Sequence, residues 1–143
     1  MNTNTILSVQ KDVTQGVIRD IDDNNYFNLK VGVTSRESLF NLAIALGVKV
    51  GKTPLSSQND LLRGDYVTKS EYLYHSLMLK DGNENSITEE KRVADFAEQY
   101  ANSGFAILKD YMQRYTDEQL AKKLLAEMDS LYVDIEPELK KIK

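Results

Sequence analysis

Cysteine is missing from this 143-residue chain, so it can build no disulfide framework, no thiolate nucleophile and no cysteine zinc site. Histidine occurs once, as His75. A two-histidine metal site is therefore excluded, and any Ser-His-Asp arrangement would have to recruit that residue. His75 sits in a helical pattern beside Tyr74 and Ser76 with no nucleophile-elbow glycines nearby, which reads as a structural or surface histidine. No apolar run approaches the roughly 18 to 20 residues that cross a bilayer, and the opening Met1 to Ile6 has neither the basic start nor the apolar stretch of a signal peptide. The expected setting is cytoplasmic, with no membrane contact. Basic charge is in deficit as well: 18 Lys and Arg face 22 Asp and Glu, for a net charge of −4 and a pI near 5.1. Affinity for polyanions in general comes from many cations neutralising phosphates, so non-specific DNA binding is disfavoured.

What is present points to one globular domain over residues 1–143, with residues 1–26 its least patterned part. Hydrophobic residues make up 41% and charged residues 28%, an ordinary balance for a chain that buries a single core. The spacing predicts an all-α fold, a compact bundle of four to five helices with one long structured loop. Four Ser or Thr residues are followed three positions later by Glu or Gln, the pattern of a capping box. Thr34 with Glu37 precedes the run Leu39 to Leu46, and Gly47 is the expected left-handed end of that helix. Thr68 with Glu71 opens a helix that stops at Asp81-Gly82-Asn83. Ser86 with Glu89 leads into the longest helix, in which Val93, Phe96, Ala97, Tyr100, Ala101, Ile107, Leu108, Tyr111 and Tyr115 recur every three or four residues. Thr116 with Gln119 opens the last helix, whose limit is Pro137. Val13, Val17, Ile18 and Ile21 share a face of a short helix ahead of these, which Gly16 weakens. Residues 48–66, with Gly51, Pro54 and Gly64, form the long loop, with a helical turn expected at Leu61-Leu62. Alternation of β-branched residues is too brief for a sheet, leaving at most a hairpin around residues 30–33 or 65–67.

Chemical motifs are approached and then missed. Gly51-Lys52-Thr53 resembles the end of a phosphate-cradling loop, yet the required glycine five residues earlier is Leu46, a helix comes before it and Pro54 follows. Asp20-Ile21-Asp22-Asp23-Asn24 opens like a calcium loop, but Asn25 and Val31 occupy the places of its glycine and glutamate, and the stretch from Asp81 fails likewise at Ser86 and Arg92. Both read as turns. No cofactor, metal or catalytic set is expected. The 22 acidic residues allow many carboxylate pairs, and none is singled out. Eight tyrosines lie mostly at helical spacing, where packing is the expected use rather than base stacking. Gly104, inside the longest helix, marks either close approach of another backbone or a kink, and Asn102-Ser103-Gly104 could alternatively split the helix.

The order Phe40-x-x-Ala43-x-x-Leu46-Gly47, then Gly51-Lys52-x-Pro54-Leu55, then Arg63, then Tyr100-Ala101-Asn102-Ser103-Gly104-Phe105-x-Ile107-Leu108 resembles the small accessory family found with Dnd DNA-phosphorothioation systems, Dnd system-associated protein four. The likeness spans roughly residues 27–112. Ser103 stands where that pattern has a glycine, and residues 80–88 are polar where it is aliphatic. The resemblance implies a prokaryotic DNA-modification or anti-phage defence complex, and it carries over no catalytic residue. The function so expected is a non-enzymatic accessory or adaptor subunit with protein partners, a candidate DNA-backbone contact and scope for homo-oligomers. Lys49, Lys52, Arg63 and Lys69 are the candidate nucleic-acid or partner contacts, although lysines of this kind are most simply solvated surface charge, as are Lys140, Lys141 and Lys143. Tyr100, Asn102, Gly104 and Phe105 are candidate structural or interface residues. Three readings stand beside this one: a small helix-turn-helix regulator using residues 36–46 with Arg36 and Asn41 exposed, an enzyme based on acidic residues, and a phage-encoded inhibitor of a defence protein.

Overall fold

The computed structural model describes residues 1, 4–24, 33–67, 71–81, 89–115, 118–120, 122–124 and 126, with residues 22, 24, 33–35 and 66 described by their backbone. Five helices dominate it: α1 (Lys11–Val13), α2 (Arg19–Asn24), α3 (Val33–Gly47), α4 (Glu71–Lys80) and α5 (Glu90–Arg114). Thr14–Ile18 forms a π-helical segment that joins α1 to α2, and Val13, Val17, Ile18 and Ile21 are all buried along this stretch, as their spacing predicts. Residues 118–120, 122–124 and 126 are also helical. No described helix is long and apolar enough to cross a membrane.

At the centre lies the packing of α3 on α5. Leu39, Phe40 and every residue from Leu42 to Leu46 are buried, so α3 is enclosed on all sides, which is why its apolar run is continuous instead of periodic. α5 is amphipathic and curtains that core with Val93, Ala94, Ala97, Ala101, Phe105 and Leu108. Two glycines allow the helices to meet. A Cβ on Gly104 would overlap the Ala43 carbonyl, and one on Gly47 would overlap the Tyr100 carbonyl. Gly104 therefore marks close backbone approach, and α5 runs unbroken through Asn102-Ser103-Gly104. α4 closes one flank, with Tyr74 edge-on to Phe40 at 6.0 Å and its hydroxyl donating to Asn41 Oδ1 at 3.0 Å.

Several expectations are corrected. A two-stranded antiparallel sheet exists, β1 (Ile6–Val9) with β2 (Asn59–Arg63), so Leu61-Leu62 lies in a strand and not in a helical turn. Leu7 pairs with Leu62 and Ser8 with Asp60, a bulge intervening. Fifty residues separate these partners, and no local pattern reports such pairing. Asp65 and Tyr66, read as hairpin residues, lie in a single 3-10 turn. The left-handed glycine is Gly51, at φ 108°, while Gly47 serves the contact with α5. α3 starts ahead of Thr34, at Val33. Glu89 is extended ahead of Glu90 and cannot be the helical third residue of a box at Ser86. Thr68, Ser86, Thr116, Lys69 and the terminal lysines lie outside the described residues, as do residues 30–32 of the other hairpin stretch.

Candidate functional site

The loop after α3 is shaped by its own turn and then fastened across α5. Val50 and Gly51 N–H groups donate back to the Gly47 carbonyl at 3.1 and 2.9 Å, and the positive φ of Gly51 sends the chain toward α5. Thr53 N–H then donates to the Gln99 carbonyl at 3.1 Å. The Thr53 and Ser103 hydroxyls lie 2.7 Å apart, and Ser103 donates to the Gly51 carbonyl at 2.6 Å. Asn102 extends this clasp, its Nδ2 reaching the carbonyls of Thr53 at 3.1 Å and Pro54 at 3.3 Å. Gln10, just after β1, accepts at Oε1 from Asn102, from Ser56 N–H at 3.0 Å and from the Ser56 hydroxyl.

The candidate cations are each engaged by a carboxylate or set apart. Lys52 Nζ lies 3.3 Å from Asp81 Oδ2 and 4.7 Å from the Phe96 ring centroid. Asp81, at the end of α4, also accepts from the Tyr100 hydroxyl at 2.9 Å; burial and that bond hold the phenol above its ordinary range. Arg63 makes a two-pronged pair with Asp65, at 3.0 and 2.9 Å. Lys49 is exposed at the start of the turn. Tyr100, Asn102 and Gly104 thus hold α4, the loop and α3 onto α5, and Phe105 is core.

The loop divides the surface of α5 into two grooves. Toward the helix C-terminus, an open groove of about 450 Å³ is lined by Val50 and Thr53 on one side and Ala106, Ile107, Asp110 and Tyr111 on the other. Val50, at its lip, is 69% exposed. Toward the N-terminus, a smaller groove of about 260 Å³ runs between Pro54, Leu55 and Gln58 of the loop and Asp95, Glu98 and Gln99 of α5. Glu98 is only 4% exposed. Burial pushes its carboxyl up to about 7, opposed by the Ser8 backbone N–H, reinforced by Asp95 and slightly relieved by Lys91. His75, half-buried on α4, is lowered by loss of water.

Sequence reasoning singled out Asn102 and Lys52 but missed Gln10, Ser103, Asp81, Val50 and Glu98. Glu98 had a readable signal, an acid on the apolar stripe formed by Ala94, Ala101 and Phe105. Gln10 had none. Among the described residues no three or more His, Asp or Glu side chains gather as metal ligands. α3 is enclosed, and Asn41 is bonded to Tyr74, so residues 36–46 cannot enter a DNA groove as a recognition helix must. No family model matches the chain, and no curated protein or solved structure matches it.

Proposed function

We propose that the protein is a non-catalytic adaptor that binds another protein across the saddle formed by the 48–58 loop and α5. The observation that carries this reading is the contrast within the loop. Its polar groups are engaged by Asn102, Ser103 and Gln10, whereas Val50 stands exposed beside the Ala106–Ile107–Tyr111 groove. Anchoring of one apolar side chain in such a groove is a common basis of protein recognition. The exposed Lys49 beside Val50 favours a partner segment that carries acidic residues around its apolar anchor. The resemblance over residues 27–112 places the partner in a DNA-modification or anti-phage defence complex; a phage inhibitor would use the same surface against such a protein. Direct DNA contact is the weaker reading, because a phosphate at Lys52 or Arg63 would first have to displace Asp81 or Asp65.

The test compares the wild-type protein, Val50→Glu and Tyr72→Ala in affinity purification from the native host, followed by titration of the purified partner. Tyr72 is the other large apolar side chain standing well exposed among the described residues, at 54%. One protein should be recovered by wild type and Tyr72→Ala and lose at least about tenfold in affinity with Val50→Glu. Equal recovery by all three would reject the surface. Tight binding of the isolated protein to DNA, weakened and made less salt-dependent by Lys52→Ala, would overturn the ranking in favour of nucleic acid.

A further inference from the structure

We propose that Glu98 is a proton-operated latch: with its carboxyl neutral it seals β1 and the Pro54–Gln58 stretch against α5, and its ionisation loosens that joint. This inference is independent of the adaptor reading. Glu98 lies one helical turn before Asn102 and is almost wholly buried, yet it forms part of the wall of the groove beneath Pro54, Leu55 and Gln58. Its carboxyl accepts the backbone N–H of Ser8. One side chain therefore joins the long helix, the first strand and the loop.

The charges around it are few. On α5 itself, Asp95 and Lys91 act on the carboxyl in opposite senses, and Lys91 is bound to Asp95 at 3.2 Å. β1 presents the Ser8 backbone, and the loop presents Pro54, Leu55 and Gln58, all uncharged. No counter-ion is seated on the carboxylate, and a buried charge without one must either take a proton or admit water. Water can enter only by moving a wall of the groove. α5 is fixed by the core on its other face, with Ala97, Ala101 and Phe105 buried. The loop wall is held by exposed hydrogen bonds, from Ser56 to Gln10 and from Lys11 N–H to Ser57 Oγ at 3.1 Å. Such bonds open far more readily than a packed core. The loop is thus the wall that yields, and the titration near neutrality caused by burial puts the two states within reach of ordinary pH.

Amide hydrogen exchange read residue by residue by NMR between about pH 5.5 and 8.5, corrected for intrinsic exchange, tests the latch on the full chain. In the wild type, protection of the Ser8 and Ser56 amides should fall by about tenfold or more as pH rises, while Ala43 in the core stays constant. In Glu98→Gln, which keeps the shape and cannot ionise, both amides should stay protected throughout. Constant protection in the wild type would overturn the proposal, as would the same pH dependence in Glu98→Gln, which would assign it to another group such as His75. Should Glu98→Gln fail to fold, the carboxyl carbon shift of Glu98 in the wild type decides: a midpoint between about 6 and 8 accompanied by loss of Ser8 protection supports the latch, and one below about 5 rejects it.

Discussion

Ser103 and Gly104 are adjacent on α5 yet serve opposite kinds of contact. Gly104 removes a side chain so that the helix can lie against the Ala43 backbone, a dry contact governed by shape. Ser103 supplies a hydroxyl that binds the Gly51 carbonyl and meets the Thr53 hydroxyl, a polar contact that fastens a loop lacking regular structure. A packed interface resists any added atom and tolerates little. A clasp of hydrogen bonds can lose one member and remain folded elsewhere, because each bond contributes only about 1 kcal/mol net. The first face should therefore govern global stability, and the second local opening.

The largest effect should come from filling the dry contact. In Gly104→Ala the new methyl stands 2.8 Å from the Ala43 Cα and closer still to its carbonyl. A loss of roughly 3 kcal/mol in denaturant unfolding is expected even after the gain of about 1 kcal/mol in helix propensity. Gly16→Ala, whose Cβ meets nothing within 4 Å, should instead be neutral or slightly stabilising. Equal behaviour of the two variants would refute the close approach.

Next in size is the pH dependence set by Glu98. Its folded pKa of about 7 lies above the ordinary 4.5, so the folded state binds more protons than the unfolded one between those values. The stabilisation is complete below about pH 4.5 and is lost as pH rises through 7, on the order of 2 to 3 kcal/mol. Urea titrations across that window should show the decline in the wild type and a flatter profile in Glu98→Gln.

Asn102→Ala withdraws the donor shared by the Thr53 and Pro54 carbonyls and by Gln10. About 1 to 2 kcal/mol is expected, appearing as faster amide exchange of Thr53 and Ser56 with Ala43 unchanged. Uniform loss of protection across the chain would erase the distinction between clasp and core. Lys52→Ala should have the smallest effect, under about 1 kcal/mol in thermal unfolding, because its pair with Asp81 is over a third exposed on the lysine side and water screens it.

The parts of this molecule legible in its sequence are those encoded by neighbours along the chain. The apolar face of Val13 to Ile21, the buried run Leu39 to Leu46 and the three-four spacing from Val93 to Tyr115 state their helices directly, because an α-helix brings together residues only a few positions apart. The lone glycine in α5 flagged a close contact without naming the partner. Hidden from such reading were the pairing of Leu7 with Leu62, the choice of Gly51 over Gly47 for the left-handed turn, and the clasp joining Gln10, Thr53 and Asn102. So was the neutralisation of Lys52 by Asp81. Each depends on residues some 20 to 90 positions apart or on space already occupied by another helix, and only the folded chain brings those groups to bonding distance. By itself the sequence determined a helical chain with no cysteine and one histidine. The tertiary structure decided that its Gly-Lys-Thr loop would be clasped to α5 and that Glu98 would be buried beneath it, because burial and hydrogen-bond partners are properties of the packed whole.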